Sequence, residues 1–281
     1  MKWVKILKAS KSGYYAYIER RDRCEKEKEE TKMVIREIFD GSDGTYGPER
    51  ICGELRKRGK RASYERISGY MSEMGISSIH NRHRTRSLTD SRKSRGEGFP
   101  NFVGGQAFDK PYQAVCSDIT YLKSGEGWLY LCTVKDIVTG EILGEAYSEN
   151  MKKELVIQAF LNAQARHILP EGTIFHADRG SQFTSKSVKE TLMLYGIKQS
   201  FSRVGMPGDN AWAESFFATL KKECIHFKQF ATREELKSTV FAWIHSFYNT
   251  RRIQKRSGYL SPRDYAAALL NREDKSILEA A

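Results

Sequence analysis

The spacing of hydrophobic and polar positions divides the chain into a helical first part and a strand-rich second part. Residues 1–40 hold few apolar positions at helical intervals, and the run from Arg20 to Lys32 is mostly charged, which predicts a solvated or partner-binding helix. Over residues 41–80 the helical period sharpens. Pro48 stands where a first helical residue belongs, Ile51, Cys52 and Leu55 form one apolar face, and Gly59 can end the helix. Ser63 is placed to cap a second helix, which carries Ile67, Tyr70, Met71 and Met74 and is followed by Gly75. The turn between them is basic (Arg56, Lys57, Arg58, Lys60, Arg61). This layout fits a helix-turn-helix and equally an ordinary helical hairpin. Residues 81–110 begin polar, basic and weakly periodic, as a linker able to follow a phosphate backbone does.

After Pro111 the period becomes alternating. Residues 114–122 and 127–138 are rich in β-branched and aromatic side chains, as are 141–147 beyond the turn at Thr139-Gly140, so a meander of three strands is expected. A helix follows, with Asn150 as its expected cap and Leu155, Val156, Ala159, Phe160 and Ala163 on one face. A short strand from Thr173 to His176, a helix over 185–195 and a brief strand at Lys198 to Ser200 lead into a glycine-containing loop. Two helices complete the region, one capped by Asn210 and one opened by the capping box of Thr232 and Glu235. The order β-β-β-α-β-α-β-α-α predicts an α/β fold of the ribonuclease-H-like kind, a mixed five-stranded sheet flanked by helices. Its core is placed at residues 111–225, with C-terminal helices and a basic tail (226–281) completing it.

Composition narrows the partners. The chain of 281 residues is 40% hydrophobic and carries a net charge of +12, which suits a globular protein with an anionic ligand, nucleic acid being the commonest. The excess is uneven: residues 1–110 hold 25 Lys/Arg against 16 Asp/Glu, and residues 111–281 hold 22 against 19. Five cysteines without a CxxC pair indicate neither a disulfide framework nor a zinc site. No signal-peptide pattern and no run of roughly 18 apolar residues is found, so an intracellular protein that does not enter the membrane is expected.

Three carboxylates stand out against this background. Asp118 sits within the first core strand, where Asp is depleted, and alternation puts it on the face of Ala114, Cys116, Thr120 and Leu122. Asp178, in HADRGSQF, lies just past a strand end, where open α/β sheets place ligands. Glu214 lies in the first turn of the helix DNAWAESFFATLKKE. Singly these read as a strand Asp, a turn Asp and a Glu favoured by the helix dipole. Together they make an all-oxygen set suited to a hard divalent cation, Mg²⁺ or Mn²⁺, of the kind that serves phosphoryl transfer in pairs. Lys221, two helical turns beyond Glu214 with Ala218 between, shares its face and suits a DNA phosphate; a solvated lysine shares that position.

These residues also carry a resemblance. Asp178 and Glu214 are separated by 35 residues, the gap typical of D,D-35-E transposases and retroviral integrases. SDITYL, HADRGSQF and DNAWAESFFATLKKE resemble the second reading frame product of the insertion-sequence-three family of bacterial transposases. SKSGYYAYIERR, YGPERICGELRKRG and FYNTRRIQKRSGYLSPRDY extend the similarity over nearly the whole chain. Cys116, Ala177, Gln254 and Ser257 depart from the family pattern, which commonly has tryptophan, serine, histidine and leucine at those places. A retroviral integrase fits less well, because His80 and His83 have no CxxC partner for a zinc module.

The resemblance implies a D,D-E polynucleotidyl transferase in which Asp118 and Asp178 share one ion and Asp118 and Glu214 a second. Cleavage at element ends and strand transfer into target DNA are its expected reactions. A non-catalytic DNA-binding regulator and a plain nuclease of the same fold are the competing readings. Lys221, Arg179, Asn210 and Arg252 are expected to meet DNA in the core, and Lys60, Arg61, Arg82, Arg84 and Arg86 in the first part, mainly through phosphates, while the helix with Tyr64 and Arg66 is the candidate for reading sequence. Double-stranded DNA, a homo-oligomer formed on it, and an upstream reading frame product or a fusion with it are the implied partners, in a bacterial cytoplasm near the nucleoid. The chain has no heptad repeat of three or more units with which to form a zipper.

Overall fold

The computed structural model describes residues 10–60, 62–81, 99–203 and 210–280. Arg61, Arg82, Arg84 and Arg86, with most of the basic linker and the glycine-containing loop, lie outside the described residues. The chain divides into two compact units, Met1–His83 and Arg84–Ala281.

In the first unit, α1 (Lys11–Gly41) opens on Ser10, whose hydroxyl accepts from the Gly13 amide, and it buries only Ile35 and Ile38 near its end. Those turns pack on α2 (Pro48–Lys57) and α3 (Tyr64–Glu73). α2 begins at Pro48 and buries Ile51, Cys52 and Leu55; α3 is capped by Ser63, which accepts from the Arg66 amide, and buries Ile67 and Met71. Lys28 and Lys32 on α1 both reach Glu73 at the end of α3, at 2.9 and 3.0 Å.

The second unit is built on a five-stranded sheet in the order β3-β2-β1-β4-β5. β1 (Ala114–Ser124), β2 (Gly127–Asp136) and β3 (Ile142–Ser148) form the antiparallel meander; β4 (Ile174–Ala177) joins β1 in parallel, and β5 (Lys198–Phe201) joins β4 in parallel. This is the ribonuclease-H-like arrangement. On one face α4 (Lys153–His167) and α5 (Lys186–Leu194) cover Val115, Val134, Leu143, Phe160, Phe175, Val188 and Leu192, which form the main core. α4 lies so close to β3 at Gly144 that a Cβ there would strike the α4 backbone at Ala159 and Ala163, so only glycine fits. The helix starts at Lys153 with Lys152 at the cap position and no side-chain cap, so Asn150 does not cap it; the Asn150 carbonyl accepts from the Lys152 amide instead.

The other face carries α6 (Ala211–Leu220), seated through Ala213 on Ala114, Cys116 and Ile137. It passes into a π turn at Lys221–Ile225. α7 (Arg233–Trp243) has the expected capping box: Thr232 accepts from the Glu235 amide at 3.1 Å, while the Glu235 carboxylate reaches back to the Ala231 amide at 2.8 Å. It too ends in a π turn, Ile244–Tyr248, after which Asn249 bonds both the amide and the carbonyl of Ile142 on the edge strand β3. α8 (Pro262–Ala280) ends the chain.

Candidate active site

The pairing register of β1 and β4 sets the first two carboxylates side by side. Cys116 lies opposite His176 in the parallel ladder, and two residues further along each segment stand Asp118 and Asp178. Asp118 is half-buried on a central strand and accepts from its neighbour's amide, Ile119, at 2.8 Å. Asp178 follows the end of β4, exposed, with its Oδ1 accepting from the Gly180 amide at 3.0 Å. A Cβ at Gly180 would lie 3.0 Å from that same oxygen, so a larger residue there would push on the Asp178 carboxylate. The β4 end is fixed from beneath by His176, wholly buried, whose Nδ1 and Nε2 exchange hydrogen bonds with the hydroxyls of Ser200 and Ser202 at 2.9 and 3.1 Å.

Glu214 comes from the covering helix. Its neighbour Ala213 is buried against Ala114 and Cys116, on the face of the sheet that holds Asp118. Lys135, on β2 opposite Cys116, clamps the first turn of α6 from below: only 4% exposed, it donates from Nζ to the Trp212 carbonyl at 2.6 Å. A lysine in a strand reads as a surface residue, and only the register exposes this one as a fastening. Cys116 fits beneath the helix as a small, fully buried thiol pushed up to about 12 by burial. Ala177 is likewise wholly buried.

The electrostatics tie these segments into one site. Burial and the adjacent Asp178 carboxylate, with Glu214 adding to them, push Asp118 up to about 7. The Ile119 amide and the Lys221 ammonium act in the opposite direction. Glu214 is raised by its partial loss of solvent. Lys221 is lowered by burial against the pull of Asp118, and its Nζ stands 5.0 Å from the centroid of the Tyr121 ring. Among the described residues no three His, Cys, Asp or Glu groups close into a finished metal cage. The donors here are oxygens alone, and their mutual repulsion is what a divalent cation relieves, so the residues fit such an ion.

The other predicted contacts divide. Arg179 is half-buried, donates to the Ser202 carbonyl at 2.9 Å and lies over Phe99. Arg66 and Lys60 are exposed in the first unit, with the Arg66 guanidinium donating to the Tyr70 hydroxyl. Asn210 occupies the cap position of α6, but it is buried and makes no cap bond; among the described residues its Oδ1 has no partner. Arg252 is not a surface cation: it is 5% exposed and grips Glu223 with two bonds of 2.8 and 2.7 Å, because the pair joins the π turn after α6 to the segment after α7. Gln254 and Ser257 lie in a tight turn bridged by Gln254 and Leu260, with the Ser257 hydroxyl donating within it.

Comparisons with known proteins agree with this architecture. Residues 109–207 match the integrase core domain family, residues 214–270 a second integrase core domain model, and residues 26–84 the HTH-like domain family. The transposase of insertion sequence element IS904 from Lactococcus lactis is 34% identical over 85% of this chain and 94% of its own length. A 31 kDa protein of insertion element IS600 from Shigella sonnei is 34% identical over 92% of this chain and 94% of its own. Among solved structures, the HTLV-2 integrase catalytic core domain in complex with magnesium aligns at 18% identity with a TM-score of 0.43, covering 56% of this chain and 97% of that one. Transposase InsF of insertion sequence IS3A from Escherichia coli is 32% identical over 93% of this chain and 91% of its own length, and on that breadth of match the chain belongs to the insertion-sequence-three (IS3) family of DNA transposases.

Proposed function

We propose that this transposase acts as a D,D-E polynucleotidyl transferase, cutting DNA at element ends and joining the freed 3′-hydroxyl to target DNA, with Asp118, Asp178 and Glu214 as its metal-binding catalytic set. The observation that carries this is the convergence on Asp118: a central-strand carboxylate made harder to ionise by burial and by two further carboxylates from separate segments. When bound, Mg²⁺ or Mn²⁺ at such a set activates the attacking water or hydroxyl and stabilises the leaving oxygen. Asp118, Asp178 on the Gly180 turn and Glu214 on the helix that Lys135 fastens through the Trp212 carbonyl would hold the ion. Lys221 and Arg179 flank the set and hold the phosphate backbone in line. The HTH-like module binds DNA alongside the core, and the protein works as a homo-oligomer on its ends.

The test is nicking of end-containing duplex by purified protein. Mg²⁺- or Mn²⁺-dependent nicks and strand-joined products, both lost in Glu214→Gln at unchanged DNA affinity, are expected. Binding without cleavage in any metal, where a control transposase cuts, would sink the proposal. Nicks without joined product would reduce it to a nuclease.

A further inference from the structure

His176 is wholly buried two residues before Asp178 and has no part in the carboxylate set. The pairing register sets it between Cys116 on β1 and Ser200 on β5, on the face of the sheet that holds Asp118. Its Nδ1 lies 2.9 Å from the Ser200 hydroxyl and its Nε2 3.1 Å from that of Ser202. Ser202 is the first residue after β5, and it holds three neighbours of Asp178 at once. Its hydroxyl meets His176, its amide donates to the Ala177 carbonyl at 3.0 Å, and its carbonyl accepts from Arg179 Nε at 2.9 Å. The segment that presents the second carboxylate is therefore held on both sides of Asp178 by a single residue.

The adjoining bonds give this contact a direction. The Phe102 amide donates to the Ser200 hydroxyl at 2.9 Å, and the Ser202 hydroxyl donates to the Ala177 carbonyl at 3.4 Å. Ser200 then has its own proton to give to Nδ1, and Ser202 has a lone pair to take the proton of Nε2. The order Phe102, Ser200, His176, Ser202, Ala177 uses each hydroxyl once as acceptor and once as donor, and it places the imidazole proton on Nε2. An apolar side chain could fill the same space, but it would give Ser202 no donor to hold. We propose that His176 is a positioning residue, whose Nε2–H bond to Ser202 sets the Asp178 carboxylate where it binds the divalent ion. This rests on the metal-binding reading of Asp118, Asp178 and Glu214. Outer bonds of this kind raise affinity because a ligand already held in place loses little freedom when the ion arrives.

The experiment is a Mn²⁺ titration of the full chain, followed by loss of the free-ion electron paramagnetic resonance signal, beside thermal melts in EDTA. Two replacements separate the bonds of the ring. His176→Gln keeps a donor near the Nε2 position, whereas His176→Asn keeps an acceptor near the Nδ1 position and loses its reach to Ser202. His176→Asn is expected to weaken Mn²⁺ binding about tenfold, and His176→Gln to stay within about threefold of the parent. Ser202→Ala retains the imidazole and the backbone bonds and should match His176→Asn. The two changes together should weaken the ion no further than either alone. Should His176→Asn melt far below its parent, Ser202→Ala gives the same comparison. Parental Mn²⁺ affinity in both His176→Asn and Ser202→Ala overturns the proposal and leaves His176 a packing residue. Equal losses in His176→Asn and His176→Gln overturn it too, since a general loosening of β4 would then be at work. Asp178→Asn tests the reading beneath: if the unmodified chain binds Mn²⁺ no better than this variant, the carboxylates are not a metal site and the proposal falls with them.

Discussion

Asp118 is a residue whose use conflicts with stability. In the metal-free protein it is a partly buried charge beside two others of the same sign, and both effects favour its neutral form. Its value rises from 3.8 to about 7 on folding, so between those limits the native chain binds more protons than the unfolded one. Metal-free stability therefore falls as pH rises through that window. Asp118→Asn keeps the shape and removes the charge. Thermal melts in EDTA at pH 8 are expected to rise by a few degrees for this variant, and its melting point should vary less than its parent's between pH 4 and 7. Nicking activity should vanish. A melting point that falls instead would mean that the carboxylate is an integral structural partner rather than a site residue. This oddity was legible in the sequence, since an aspartate within an apolar strand face has no local reason to be there. Lys135 was not, because its alternation matches a surface lysine and its burial arises from α6, a helix brought over it from 77 residues away.

At the scale of elements, alternation and caps were enough to place β1, β2, β3, α2, α3 and α7, since a half-buried strand or helix must show its period. The two π turns left no such mark. Each adds a residue to a helical turn at its end, Lys221–Ile225 after α6 and Ile244–Tyr248 after α7, and this shifts the phase of the chain downstream. Arg252 lies just beyond the second of these turns. Read along a basic tail it looks like a phosphate contact, yet the turn brings it onto Glu223, buried at 8% exposure, with its guanidinium over Tyr248. Removing one member of such a pair leaves an uncompensated buried charge. Arg252→Ala is expected to lower unfolding stability by about 3–5 kcal/mol in urea denaturation. The double change Arg252→Met with Glu223→Leu should recover most of the loss. DNA affinity of the folded Arg252→Ala protein should stay near that of its parent. A selective loss of DNA binding without loss of stability would return Arg252 to the interface.

Over the whole molecule, the carboxylates belong to the unit Arg84–Ala281, while the net positive charge is shared equally, +6 in Met1–His83 and +6 in Arg84–Ala281. Both units therefore carry cations with which to hold DNA. Cations that meet phosphates release counterions, so each such contact steepens the fall of affinity with salt by about 0.9 in the logarithmic slope and does so for any sequence. A side chain that reads bases acts differently, weakening the matched sequence while the salt slope stays almost constant. Arg82, Arg84 and Arg86 are proposed to belong to the first kind, and Arg66, exposed near the start of α3, to the second. Replacing the three linker arginines with alanine is expected to flatten the salt dependence by about 2 to 3 in that slope, alike for element ends and random duplex. Arg66→Ala should cost the element end about tenfold or more and random duplex little. Titrations of both variants against both duplexes at several salt concentrations separate the two behaviours. If Arg66→Ala weakens both duplexes equally and flattens the slope by about 1, then α3 merely follows the backbone and end recognition lies elsewhere in the chain.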